Sequence, residues 1–143
     1  MNPSVTIQSL GQLIARVLIG LLFIVAGIFK MHGQSFYFPY ISSIGGTAQP
    51  EITLPLGYAM EIGAAIALIA GWKTHWAAWI LIFYTIILTV LFQGIAGPDD
   101  AQYFNKLSHV VKNLGVTAGL LFMAVHGGGS ISVDAVLART RDK

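Results

Sequence analysis

Cysteine is absent from the 143-residue sequence, and charged residues make up only 10% of it. Without cysteine the chain has no disulfide, no thiolate nucleophile and no cysteine-ligated metal or iron–sulfur centre. The scarcity of charge excludes disorder and lies well below the roughly 25% of a typical soluble domain. The formal net charge of +2 is too small for the basic surface of a nucleic-acid-binding protein, so no nucleic-acid partner is expected.

Apolar residues are abundant instead, at 55% of the sequence, and the mean hydropathy is +0.73. A membrane-spanning helix needs about 20 mostly apolar residues. Four segments approach this length, at residues 13–29, 52–70, 76–92 and 110–125. The sequence therefore predicts an all-α, integral membrane four-helix bundle that forms a single domain over residues 1–143, with the lipid bilayer as its first partner.

The segments between the spans also carry information. Residues 30–51 are rich in aromatic side chains, and Pro39 with the Gly45 and Gly46 pair predicts a broken stretch at the membrane interface. Residues 71–75 and 97–100 predict turns. Because four spans place both ends of the chain on one side, and because the loops on that side hold more basic residues, we predict that both termini are cytoplasmic.

Ionisable residues inside spans are costly and mark functional positions. Four of them lie in or at the ends of the predicted spans: Arg16, Lys30, Glu61 and Lys112. At about 100° per residue, three of them share helix faces with glycines, whereas Glu61 lies among small residues near the middle of its span. We expect an internal cavity with Glu61 at mid-depth, Lys30 and Lys112 at its outer mouth, and Arg16 near the cytoplasmic end.

Each of these residues also has a purely structural interpretation. The three basic side chains can extend to lipid headgroups, and Glu61 can belong to a structural ion pair or be a protonated, hydrogen-bonded carboxyl. Opposite Glu61, small residues recur at every fourth position and predict close helix packing, either within the bundle or between the copies of a homo-oligomer. These residues are Ala59, Gly63, Ala67 and Gly71.

At these positions the sequence resembles the DoxX family. Arg16 and the run Gly20-Leu-Leu-Phe-Ile-Val-Ala-Gly-Ile-Phe-Lys30 resemble the first helix of the family. The run Tyr58-Ala-Met-Glu-Ile-Gly-Ala64 resembles the second helix, which Gly71 closes. The Lys112-Asn113 pair, followed by Gly119 and two leucines, resembles the last helix. The resemblance covers residues 13–134 and implies a four-helix, multi-pass protein of the bacterial inner membrane.

The resemblance also implies a redox function. The DoxD branch of the family belongs to a thiosulfate:quinone oxidoreductase, and other members are associated with membrane complexes that handle thiol or oxidative stress. We therefore expect a subunit of a quinone-linked membrane oxidoreductase complex, with other membrane or soluble redox subunits as partners. Whether the chain is itself an enzyme stays open, because side chains alone do not supply two-electron chemistry; we expect no stand-alone activity.

Under this hypothesis each polar residue has an expected role. Glu61 relays protons and Lys112 polarises a carbonyl, which makes these two the catalytic candidates. The predicted ligand-binding residues are Arg16, Lys30, His109 and Asn113. The inward-facing ionisable groups would together carry a charge of about +2, which favours an anion such as thiosulfate. Quinone is the expected cofactor, and no metal site is predicted.

Two other functions remain open at this point. A b-type haem protein would use pairs of histidine ligands, His32 with His109 and His75 with His126, but all four lie at helix ends rather than within the spans. A small-solute or lipid transporter, or a membrane assembly factor, would use the same cavity around Glu61. Transporters often contain broken helices, and only Pro55 indicates such a break here.

Overall fold

Six helices make up the described part of the protein, which in the computed structural model comprises residues 3–44, 49–92 and 101–141. They are α1 (Pro3–His32), α2 (Gln34–Ile44), α3 (Pro50–Ala70), α4 (Thr74–Phe92), α5 (Tyr103–His126) and α6 (Val133–Arg141). The described ranges contain no strand, and the predicted all-α fold is confirmed.

Four of the helices are long and apolar enough to cross a membrane. The candidate spans are Ile7–His32, Pro50–Ala70, Thr74–Leu91 and Tyr103–His126. The helices extend beyond the predicted segments, most of all at the start of α1 and α5. Polar residues such as Gln12 and Ser108 lower the hydropathy of those first turns without preventing helix formation, because helical backbone satisfies its own hydrogen bonds.

The segment after α1 is more ordered than predicted. Instead of a broken stretch, it contains α2, which has Pro39 inside it. Pro39 is the sixth of the eleven residues of α2, so it removes one hydrogen bond in the middle of this short helix without ending it. Gly33 makes the corner: its N–H donates to Phe29, and its carbonyl accepts from the N–H groups of Phe36 and Tyr37. The predicted Gly45–Gly46 break and the turn at 97–100 lie outside the described residues.

The four spans are arranged as two helix pairs. α1 packs chiefly on α3, α5 packs chiefly on α4, and the α3–α4 contact joins the pairs, whereas α1 and α5 pack less closely. Alanines 64 and 65 of α3 and alanines 77 and 78 of α4 are buried in the core beside Leu68, Leu81 and Leu120. Small side chains let the helix backbones approach each other, which favours association in lipid.

One end of the bundle, here called the Arg16 end, is closed by the segment after α5. The carboxylate of Asp134 accepts hydrogen bonds from the backbone N–H of Lys73 (2.7 Å) and of Thr74 (2.9 Å), and from the Thr74 hydroxyl (3.0 Å). The N–H of Asp134 donates to the Gly71 carbonyl at 2.9 Å. Asp134 therefore caps α4 and ties the start of α6 to the α3–α4 turn.

Arg16 lies directly beneath this closure, and its side chain is only 1% exposed. Its Nη2 donates to the Ile131 carbonyl, so the side chain binds the segment after α5 rather than extending to headgroups. A Cβ at Gly71 would overlap Arg16 Nη1, and Gly71 also has a φ of +71°. Glycine is needed there for both reasons.

The small residues that recur at every fourth position of α3, here called the α3 ribbon (Ala59, Gly63, Ala67 and Gly71), do not share one environment. Gly71 packs on Arg16, whereas Ala59 and Gly63 are exposed on the outer surface of the bundle. A Cβ at Gly63 would have no neighbour within 4 Å. The α3 ribbon is therefore not a single packing face within the described part of one chain.

Removing the Asp134 side chain tests the closure. Burial raises the pKa of this carboxyl, but hydrogen bonds from Thr74 and Lys73 outweigh that effect and hold the pKa below its ordinary value of 3.8. A lowered folded-state pKa means that the stabilisation is complete above the unfolded-state pKa and is lost as the pH falls through the folded-state value. We expect Asp134→Ala to lower the free energy of unfolding by about 1 kcal/mol at pH 7.

Thermal unfolding in detergent, followed by circular dichroism, measures this effect. The difference between the native and Asp134→Ala proteins should shrink as the pH falls below the ordinary carboxyl pKa of 3.8. Arg139→Gln, an exposed change on the same helix, is the control and should leave the midpoint unchanged. Equal stability of the native and Asp134→Ala proteins at pH 7 would show that the closure contributes nothing.

Candidate functional site

A cavity of about 640 Å³ lies toward the opposite end of the bundle, here called the Lys30 end. Five helices, α1 to α5, contribute to its wall. Its volume lies within the range of about 300–1,000 Å³ that is typical of ligand pockets, and its mostly apolar lining is typical too. The polar side chains in the wall are Lys30, Tyr37, Thr53, Glu61, Tyr84, Thr85, Lys112 and Asn113.

A buried ion pair forms the polar centre of this wall. The Nζ of Lys30 donates to Oε2 of Glu61 at 2.6 Å, and the two side chains are 16% and 2% exposed. A carboxylate at this depth requires a partner, because an uncompensated charge in a low-dielectric interior costs several kcal/mol. Lys30, in the last turn of α1, supplies the counter-charge to the middle of α3.

Tyr84 of α4 completes the cluster. Its hydroxyl donates to Glu61 Oε2 at 3.2 Å, and Lys30 Nζ lies 5.3 Å from the centre of its ring, within cation–π range. Both donors bind Oε2, and within the described part of the chain no donor binds Oε1. One carboxylate oxygen of Glu61, Oε2, is therefore held by the protein. The other, Oε1, has no donor among the described residues, and Glu61 lines the cavity.

Two glycines make room for this cluster. A Cβ at Gly27 would collide with Ile62 and lie 3.6 Å from Glu61 Oε2, so its absence lets α1 approach α3. A Cβ at Gly57, one turn before Glu61, would lie 3.5 Å from the Tyr84 hydroxyl. Glycines on α1 and on α3 itself thus leave space beside the Glu61 carboxylate.

A second polar group in the cavity wall lies on α5. Asn113 Nδ2 donates to the Thr89 hydroxyl at 2.8 Å, which links α5 to α4. Lys112 Nζ lies 3.2 Å from His109 Nδ1. Among the described residues no carboxylate pairs with Lys112, so it brings an uncompensated positive charge to the cavity wall.

The structure brings together four of the six predicted site residues. Lys30, Glu61, Lys112 and Asn113 all line the cavity, whereas His109 only contacts Lys112. Arg16 lies at the other end of the bundle and is not part of the wall. Two lysines and one glutamate leave the cavity with a net charge of one positive unit, one less than was expected when Arg16 was included.

Sequence analysis missed Tyr84. The residue lies in α4, a span that contains no Asp, Glu, Lys or Arg and so drew no attention. A tyrosine hydroxyl inside a span needs a hydrogen-bond partner, and that requirement is the signal that could have identified it. Its partner could not be inferred, because it lies on a different helix.

Comparison with known proteins establishes the family. The DoxX family model matches residues 11–94, which contain most of α1, all of α2, α3 and α4, and the Lys30–Glu61–Tyr84 cluster. The chain belongs to the DoxX family. It is similar to the inner membrane protein YqjF of Escherichia coli, with 31% identity over 131 residues that cover 92% of the chain and 95% of YqjF.

A second inner membrane protein of Escherichia coli, YphA, is 30% identical over 122 residues, which cover 85% of this chain and 86% of YphA. The chain is also 30% identical over 130 residues to the general amino-acid permease GAP2 of Candida albicans, but that match covers only 20% of the permease. No solved structure matches. The DoxX protein described here is therefore a multi-pass inner-membrane protein.

The coupling between Lys30 and Glu61 can be measured directly in this DoxX protein. Removing either partner of a buried ion pair leaves an uncompensated charge, whereas removing both leaves none. We expect Lys30→Met and Glu61→Gln each to destabilise the protein, and the double variant to be less destabilised than the sum of the two by about 1 kcal/mol or more.

A double-mutant cycle of unfolding free energies in detergent gives this coupling energy. Lys73→Met combined with Glu61→Gln is the control, because Lys73 is exposed at the other end of the bundle, and those two changes should add. Additive effects of the Lys30 and Glu61 changes would contradict the ion pair.

Proposed function

We propose that this DoxX protein is the quinone-binding membrane subunit of an oxidoreductase complex, and that Glu61 carries protons to the bound quinone. The observation that supports this is the second carboxylate oxygen of Glu61, which has no donor among the described residues although Glu61 lines an apolar cavity of ligand size. The DoxD branch of the family, which the sequence resembles, implies the same class of redox partner.

The lining fits a quinone. Apolar side chains such as Leu22, Leu54 and Leu88 make up most of the wall and suit an aromatic ring with an isoprenoid tail. Hydrogen-bond donors for the carbonyl oxygens occur on different helices of the wall, at the Lys30–Tyr84 cluster and at Lys112 on α5. When bound, a quinone supplies an acceptor for two electrons and two protons.

The protein's own residues would position the ligand and handle its protons. Lys30 and Tyr84 hold Glu61 through Oε2, which leaves Oε1 to hold or release a proton toward the cavity. Lys112 places a positive charge where a carbonyl oxygen gains electron density, which stabilises that charge. The electrons come from a reductant bound by a partner subunit, because the side chains of this cysteine-free chain do not supply two-electron chemistry.

Binding is tested first. The purified protein in lipid nanodiscs should co-purify with isoprenoid quinone, detected by mass spectrometry of an organic extract. Calorimetric titration with a short-chain ubiquinone should show saturable binding that Tyr84→Phe weakens by roughly 2- to 12-fold, because one hydrogen bond to the cluster is lost. Tyr58→Phe, on α3 outside the cavity wall, should bind as the native protein does. An extract without quinone and a titration without binding would disprove the proposal.

The proton role of Glu61 has its own test. Electrochemical reduction of the bound quinone should produce a carboxyl band in the infrared difference spectrum, because a carboxyl group changes its protonation or hydrogen bonding when the ligand does. Glu61→Gln should remove that band. Glu51→Gln, the change of the chain's other glutamate, should retain it. A band that persists in Glu61→Gln would assign the proton transfer elsewhere.

A further inference from the structure

A second cavity, of about 610 Å³, lies at the Arg16 end of the bundle. Its walls come from α1, α5 and the segment after α5, and include Gln8, Gln12, Ala15, Met123, His126 and Ser130. α1 and α5 are also walls of the first cavity. The two cavities therefore lie along the same helix–helix seam, one at each end of the bundle.

About two helical turns separate the residues that line the two cavities along each helix. On α1, Ala15 lines the second cavity and Leu22 lines the first, with Ile19 between them. On α5, Val116 lines the first cavity and Met123 the second, with Gly119 between them. One turn of helix rises about 5.4 Å.

Ile19 and Gly119 meet in this intervening layer. A Cβ at Gly119 would lie 2.9 Å from Ile19 Cδ1, so the isoleucine side chain occupies the space that a larger residue at 119 would fill. Here the seam is closed by the apolar Ile19 side chain lying against Gly119, which has no side chain of its own. This layer is what separates the two cavities.

The seam is also the less closely packed side of the helix bundle, since α1 packs chiefly on α3 and α5 chiefly on α4. In a bilayer the association of helices has no strong hydrophobic driving force, because lipid tails replace the lost contacts. Opening the α1–α5 seam therefore costs less than separating either helix pair.

The charges along the seam select the sign of a solute. Lys30 and Glu61 neutralise each other in the first cavity, and Lys112 remains without a carboxylate partner among the described residues. Among the described residues, the second cavity is lined by amide, hydroxyl and imidazole groups and by no acidic, lysine or arginine side chain. The positive charge of Lys112, an exposed residue, thus makes the local potential along the seam favour anions over cations.

We propose that the two cavities are the ends of one transmembrane path between α1 and α5, which admits small anions and is gated by Ile19 against Gly119. The path brings an anion to the Lys30–Glu61–Tyr84 cluster from the Arg16 end. It requires neither a quinone nor electron transfer, so its test is independent of the function proposed above.

The absence of native cysteine makes the path accessible to thiol labelling. Val116→Cys places one thiol in the first cavity, next to the gate. Right-side-out and inside-out membrane vesicles expose opposite faces of the protein to the membrane-impermeant reagents sulfonatoethyl methanethiosulfonate, an anion, and trimethylammonioethyl methanethiosulfonate, a cation.

We expect the anionic reagent to label Val116→Cys rapidly from the Lys30 end and slowly from the Arg16 end. Ile19→Ala should raise the rate from the Arg16 end at least about tenfold, because it removes most of the gate side chain, and Gly119→Leu should abolish labelling from that end. Ile19→Phe serves the same purpose if Gly119→Leu does not fold. The cationic reagent should react more slowly than the anion in each case.

Two controls separate the path from general loosening of the bundle. Leu18→Ala, next to the gate but 63% exposed, should leave the labelling rates of Val116→Cys unchanged. Leu114→Cys, on the same helix but 65% exposed, should show no response to Ile19→Ala. Labelling of Val116→Cys from only one face in the Ile19→Ala background would show that the cavities are separate, and faster labelling by the cation would disprove anion selectivity.

Discussion

The hydrocarbon core of a bilayer offers no hydrogen-bond partners, so a charged group inside this bundle depends on partners within the protein. The Lys30–Glu61 ion pair is the strongest consequence of that constraint. It connects α1 to α3, and through the Tyr84 hydroxyl it reaches α4. One carboxylate thus holds three spanning helices together, and Gly27 and Gly57 leave space beside it.

The sequence predicted the spans well because bilayer thickness imposes a length that composition reveals. It also placed Glu61, Lys30 and Lys112 on inward faces, since periodicity reports the orientation of a residue on its own helix. Pairing between helices is different: nothing in one helix specifies that Tyr84 reaches Glu61. α6 was not predicted either, because its nine residues are too few to span a membrane and include Asp134, Arg139 and Arg141, and α2 was obscured by Pro39.

Arg16 shows how one type of signal can have two outcomes. Like Lys30, it is a basic residue on the glycine-lined face of α1, and both were assigned to one site. The two residues lie about four turns apart on α1 and have different partners. Lys30 neutralises a carboxylate in a ligand-sized cavity, whereas Arg16 binds the backbone of the segment after α5. The pattern of one helix identifies an inward-facing cation. Its binding partner depends on which later segment of the chain packs against it.

The closure at the Arg16 end has a mechanical consequence. Residues 71–73 join α3 to α4, and Lys73 has a φ of +47°. The carboxylate of Asp134 accepts hydrogen bonds from the N–H groups of Lys73 and Thr74, which hold this turn in place. The contact between α3 and α4 lies opposite the α1–α5 seam. The two helix pairs are therefore joined along one side of the bundle and can separate along the other. Because a span of about 19 residues is roughly 28 Å long, a rotation of a few degrees at the held turn becomes a displacement of an ångström or more at the far tips.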